Sequence, residues 1–106
     1  MNDQQLDQLF SALSDSTRRA MLSRLAQGDM SVAELAEPFT MSKPAITKHL
    51  KVLESAGLLT RMIEGRTHRC QLRATPLKDA GDWLKFYEQF WQQNLDKLES
   101  FLAKDS

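Results

Sequence analysis

The apolar period changes at Gly57, and no other feature restricts the fold as much. Before it, Ile46, Leu50 and Leu53 recur at i, i+4 and i+7, the spacing that lines up side chains on one face of an α-helix. After it, residues 58–63 and 67–72 read as two short alternating strands. Between them Glu64-Gly65-Arg66 supplies a hairpin turn whose glycine can take a positive φ. From about residue 78 to 103 the helical period returns, with Leu84, Tyr87, Trp91, Leu95, Leu98 and Leu102 at steps of three and four.

The first forty residues predict three small helices. Leu6, Leu9, Phe10 and Leu13 form an apolar stripe, which Ser14, Asp15 and Ser16 interrupt while offering N-caps to a second helix. That helix turns Met21, Leu22 and Leu25 inward and ends near Gly28. Ser31 and Glu34 then form a capping box, each satisfying an orphan amide of the other, and Pro38 keeps the third helix short. Ser42 caps the fourth helix, with Lys43 and Pro44 in its first turn, where proline costs little. The expected fold is mainly α with a small β component: about five helices and a two-stranded hairpin. One domain spans all 106 residues, without a repeat, a low-complexity tract or a linker.

Equal numbers of basic and acidic residues, 14 of each, conceal an uneven distribution. Residues 1–40 hold three Lys and Arg against six Asp and Glu; residues 41–73 hold seven against two; residues 74–106 hold four against six. A basic middle between acidic flanks is expected where one face meets a polyanion. The single cysteine, Cys70, cannot close an intrachain disulfide, which fits a reducing cytoplasm. No apolar run approaches the ~18 residues that cross a bilayer, and the acidic N-terminal segment is not a secretory signal, so no membrane partner is expected.

On the fourth helix the line opposite Ile46, Leu50 and Leu53 carries Pro44, Lys48, Lys51 and Ser55, flanked by Ala45 and Thr47. Two helices joined by a short turn, followed by a basic hairpin, compose a winged helix-turn-helix, in which the second helix enters the DNA major groove. The candidate DNA-binding residues are Ser42, Lys43, Pro44, Ala45, Thr47, Lys48, His49 and Lys51 of the helix, with Arg66 and Arg69 of the wing. A hydrogen bond within the domain is an equal alternative for His49. Arg18 and Arg19 are expected to bridge to an acid such as Asp15, with contact to the DNA backbone phosphates as the alternative, and Cys70 is expected to be half buried and structural.

The stretch LFSALSDSTRRAMLSRLAQGDMSVAELAEPFTMSKPAITKHLKVLESAGLLTRMIEGRTHRCQL resembles the ArsR-type winged helix transcriptional repressors, through LSDSTRRAMLSRL, SKPAITKHLKVLESAGLL and the EGR wing tip. The resemblance implies a bacterial cytoplasmic repressor of its own or a neighbouring operon that binds an imperfect palindrome as a homodimer through its terminal helices. The expected interface is Leu6 and Leu9 with Leu84, Tyr87, Trp91, Leu95, Leu98 and Leu102. Metal-sensing members carry a Cys-x-Cys pair in the third helix or His and Asp pairs in the last. Here Glu34-Leu35-Ala36-Glu37-Pro38 has no thiol and the last helix has no histidine, so neither metal nor cofactor is expected. The tail WLKFYEQFWQQNLDKLESFL resembles a subgroup without recognised metal sites, autorepressors among them.

Two other functions stay open on sequence grounds: a winged helix that binds protein, and a thiol- or metal-responsive regulator using Cys70. A small-molecule effector is a further partner to consider, of a class the residues do not name. No nucleophile, base and acid stand together, so catalysis is not expected.

Overall fold

The computed structural model describes residues 1–104. Five α-helices and three short strands follow in the order α1 (Asp3–Leu13), α2 (Ser16–Leu25), β1 (Met30–Ser31), α3 (Val32–Ala36), α4 (Lys43–Ser55), β2 (Leu59–Glu64), β3 (Thr67–Leu72) and α5 (Thr75–Lys104). The sheet is antiparallel, in the order β1-β3-β2. The hairpin is thus joined by a third strand that the sequence reading lacks: Met30 pairs with Cys70 and Ser31 with Arg69. Two residues are too short to register an alternation, yet they cover the free edge of β3.

Local chemistry explains where each helix begins. Asn2 and Gln5 form a capping box on α1, Asp15 accepts from the Arg18 amide on α2, and Ser31 and Glu34 form the expected box on α3. Ser42 accepts from the Ala45 amide at 3.3 Å, and Pro44 occupies the first turn of α4. α5 begins at Thr75, earlier than the periodicity indicates, because Pro76 is tolerated in a first turn that needs no amide donor.

A tight turn joins α4 to β2. The Leu58 amide donates to the Leu53 carbonyl at 3.0 Å and the Gly57 amide to that of Glu54 at 2.9 Å. This is a Schellman closure, with Gly57 in the left-handed region at φ +75° and Leu53 and Leu58 both fully buried. At the hairpin tip Glu64 pairs with Thr67, leaving Gly65 and Arg66 as the loop. Only Gly65 has positive φ, the II′ pattern that matches strand twist.

One core unites these elements. Leu9 and Ala12 of α1 meet Met21, Leu22 and Leu25 of α2, Leu35 of α3, and Ile46, Leu50 and Leu53 of α4; Leu58, Leu59, Cys70 and Ala80 complete it. Leu9 has no accessible surface. It therefore belongs to the protomer core, and the interface role expected for it does not fit this position, because a side chain already enclosed has no surface to offer a partner.

α5 behaves differently, with only Ala80 buried along its 30 residues. The molecule measures 67 × 30 × 22 Å with a radius of gyration of 19.0 Å, against the ~13 Å of a compact domain this long. The excess length is the helix leaving the body.

A β-carbon at Gly57 would meet Pro76 Cγ at 3.6 Å, an ordinary contact, so substitution there tests backbone conformation alone. Gly57→Ala is expected to lower the unfolding free energy by about 1 kcal/mol with no change in denaturant m-value. Urea titration followed by circular dichroism checks this, and an unchanged midpoint would remove the left-handed cap from the account.

Candidate nucleic-acid interface

The buried line of α4 determines which side chains reach solvent. With Ile46, Leu50 and Leu53 inward, Lys43, Pro44, Thr47, Lys48, Lys51 and Ser55 are exposed and Ala45 is partly buried. Among the described residues none of the three lysines is in an ion pair. Ser42 is exposed too, but its hydroxyl oxygen is engaged as the helix cap. The first two turns of α4 thus carry cations and small side chains on one open surface.

That surface forms one wall of a groove of about 930 Å³ whose other wall is α1, with Asp7, Gln8 and Ser11. On sequence grounds α1 is expected only at the dimer interface. Its polar side gives no linear signal of lying beside α4, because the approach of the two helices is tertiary.

His49 points elsewhere. Its Nδ1 lies 3.2 Å from Arg18 Nη1, linking α4 to α2. A guanidinium can only donate, so this contact is a hydrogen bond when Nδ1 is the acceptor. Asp15 Oδ2 is 3.9 Å from the same nitrogen, beyond hydrogen-bond reach. Asp15 is instead held by the Arg18 amide, which, more than the nearby charges, lowers its carboxyl pKa below the usual value. Of the two expectations for His49, the contact within the domain is the one present.

Arg18 is the centre of a small knot. Its Nε donates to the Ala12 carbonyl at 2.7 Å and its Nη2 to the Ser11 carbonyl at 3.0 Å, while Arg19 Nη1 donates to Leu13 at 2.6 Å. Both arginines bond within the domain, yet to main-chain carbonyls at the C-terminal end of α1 rather than to an acid; that of Ser11 also accepts from the Ser14 amide and hydroxyl. Compositional reasoning favours a carboxylate partner and overlooks the helix end.

The wing cations separate into two kinds. Arg66 is exposed at the hairpin tip. Arg69 is partly buried and donates to the Asp29 carbonyl at 3.4 Å, and Arg61 donates to Glu54 Oε1 at 2.6 Å, tying β2 to α4. Glu54, one of two acids in the basic segment, is therefore neutralised within the domain.

Cys70 is fully buried rather than half buried, and burial pushes its thiol pKa up, with Arg61 only partly opposing. A reactive thiolate needs the opposite environment. Among the described residues no three His, Cys, Asp or Glu side chains gather as a metal site.

On α5, Leu84, Tyr87, Trp91, Leu95, Leu98 and Leu102 are exposed, as are Trp83, Phe86, Phe90 and Phe101, while Leu6 of α1 is partly buried. Phe10 of α1 meets Trp83 edge-on at 5.7 Å between centroids, and Trp83 continues to Tyr87 at 4.9 Å. α1 and α5 thus share one aromatic ridge.

A helix pair that exposes a lysine-bearing second helix beside a basic-tipped hairpin defines a winged helix-turn-helix DNA-binding protein. Residues 15–61 match the family model described as bacterial regulatory protein, arsR family. The chain is 37% identical over 79 residues to the transcriptional repressor SdpR of Bacillus subtilis, covering 74% of this chain and 88% of that one. It is 39% identical over 89 residues to the HTH-type transcriptional regulator Rv2034 of Mycobacterium tuberculosis, covering 84% and 80%. The crystal structure of an ArsR family transcriptional regulator, RHA00566, superposes with a TM-score of 0.81 at 37% identity over 87% of this chain and 95% of that one. The chain belongs to the ArsR family and is a DNA-binding transcriptional regulator.

The knot predicts a stability effect separable from DNA contact. Arg18→Lys cannot span two carbonyls and an imidazole, and is expected to cost about 2 kcal/mol of unfolding free energy. Arg19→Ala, which releases one exposed bond, should cost less than about 1 kcal/mol. Chemical denaturation of both variants decides it; a wild-type midpoint for Arg18→Lys would show that the fork geometry is dispensable.

Proposed function

We propose that the protein is a homodimeric transcriptional repressor acting in the bacterial cytoplasm, where it binds an imperfect palindrome at its own or a neighbouring operon. The observation that carries the DNA-reading part is the open face of α4: Lys43, Lys48 and Lys51 without ion-pair partners, among Pro44, Ala45 and Thr47, which are small enough for close approach. Lys48 reads a base edge. Lys43, Lys51 and Arg66 hold phosphates, which orient the protein without carrying sequence information. Repression is supported by the likeness to SdpR. No helix among the described residues is long and apolar enough to cross a membrane.

Dimerisation is supported by the ridge on α5. At about 100° per residue, Trp83, Leu84, Phe86, Tyr87, Phe90, Trp91, Leu95, Leu98, Phe101 and Leu102 cover roughly half of the helix circumference. A solvated apolar surface of that breadth is unfavourable in a soluble monomer. Pairing it with the same surface of a second copy buries both at once and sets two α4 helices about one DNA turn apart, or a small multiple.

Lys48→Ala is expected to weaken specific binding by about 1 to 3 kcal/mol and scrambled DNA much less. Arg66→Ala should weaken both alike and flatten the salt slope by about one unit. Anisotropy titrations at several salt concentrations separate the two effects; equal losses on both duplexes for Lys48→Ala would reduce it to a phosphate contact.

The dimer has its own test. Trp91 is 66% exposed in the protomer, so Trp91→Ala should leave the protomer core intact and weaken association by about 3 kcal/mol. Sedimentation equilibrium reads this directly, and a wild type that is monomeric at micromolar concentration yet binds a palindrome tightly would defeat the dimer.

A further inference from the structure

The register of the wing sorts its cations by face. Arg61 lies opposite Cys70 and Ile63 opposite His68, and directly opposed residues of an antiparallel pair share a face. Alternation along each strand puts all four on one side. Cys70 is fully buried, so this side looks toward the helices. Arg69, one residue away, falls on the other side and donates to the Asp29 carbonyl.

Beyond the edge of the core, this face of the wing overhangs the start of α3 and encloses a cleft of about 450 Å³. Arg61, Arg66 and His68 line it together with the hydroxyl-bearing Ser31 and Thr67, and Val32 and Ala33 supply its apolar side. No carboxylate lines the cleft. Of the nearby acids, Glu54 accepts from Arg61 Nη2 at 2.6 Å and Glu34 accepts from the Ser31 amide at 3.4 Å, while Glu64, opposite Thr67 at the hairpin end, does not line the cleft. Among the described residues Arg61 Nε is buried and makes no hydrogen bond, a donor that a burial site leaves unsatisfied only at a cost.

We propose that this cleft between the wing and α3 seats a backbone phosphate of the bound DNA, with His68 and Arg66 as its direct donors and the unsatisfied Nε of Arg61 behind them. The proposal rests on the DNA-binding reading above and adds a second clamp to it. The strand that borders the major groove entered by α4 has to pass the wing, and Arg61 joins the two elements through Glu54. Concave surfaces bearing several donors and no acid suit a tetrahedral anion. His68 replaces Arg69 as the wing residue beside Arg66.

The test uses the full chain and fluorescence anisotropy with its upstream duplex and a scrambled one. His68→Ala should weaken both by about fivefold, since phosphates carry no sequence information. His68→Lys should restore the affinity and steepen the salt slope by about one unit. A merely structural histidine would not be rescued by lysine. Lys85→Ala, which removes a cation on α5 that is 4.0 Å from Asp82, should change neither duplex, which controls for net charge. Wild-type binding by His68→Ala, or no rescue by His68→Lys, overturns the proposal. If the cleft instead takes a free phosphate, millimolar pyrophosphate will shift the His68 ring resonances without DNA while His68→Ala binds DNA normally, and the DNA assignment falls. Loss of the cleft alone is told from loss of the whole DNA reading by Lys48→Ala, which still weakens specific binding in the first case; in the second, wild type shows no preference for its upstream duplex.

Discussion

The rotation of α4 about its own axis is the constraint on which the interface depends. Ile46, Leu50 and Leu53 are 5%, 1% and 0% exposed, so the helix has one buried line and cannot turn without exposing leucine. A shift of one residue would rotate the lysines by about 100°, away from the open surface. Fully burying one such side chain contributes roughly 1.5 to 3 kcal/mol, which is more than any single surface lysine could gain by moving. The core, not the cations, chooses which face the DNA meets.

Polar contacts then hold that rotation at both ends of the helix. Ser42 and Pro44 define the start, and the Gly57 closure defines the stop by turning Leu58 back onto Leu53. Between them, Arg18 connects the C-terminus of α1 to His49 in the middle of α4. Glu54 extends the linkage to the wing through Arg61. The reading helix and the wing are therefore braced through two residues of α4 that face neither the core line nor the lysine line, and His49 and Glu54 lie on the flanks where such bracing is geometrically available.

Much of this was legible because it depends on spacing along the chain. The α4 stripe, the Ser31 and Ser42 caps, the hairpin turn at Gly65 and the long last helix all arise from neighbours a few residues apart, where propensity and periodicity act. What escaped depends on contacts that periodicity does not encode, between elements and at helix ends. β1 is two residues pairing with a strand some forty positions later. The guanidinium of Arg18 satisfies carbonyls rather than a carboxylate, and Leu9 spends its whole surface inside the protomer. The wing arginines look equivalent in composition, but strand register places Arg61 and Arg69 on opposite faces, and both carry internal hydrogen bonds. Charge counted along a segment does not say which charges are free.

That distinction bears on how a chain with no net charge can bind a polyanion. Long-range attraction is weak when 14 basic residues face 14 acidic ones, so the field near α4 has to be local. Within the basic segment Glu54 is neutralised by Arg61 at 2.6 Å, which leaves Lys43, Lys48 and Lys51 without an acid on their own helix face. Asp7 of α1 lines the same groove and opposes them from the facing wall. Few free cations and one opposing acid mean few counterions released, and hence weak binding to arbitrary DNA. Because discrimination is a difference of affinities, a low non-specific term favours the operator over the many competing sites of a genome without requiring exceptional contacts at the operator itself.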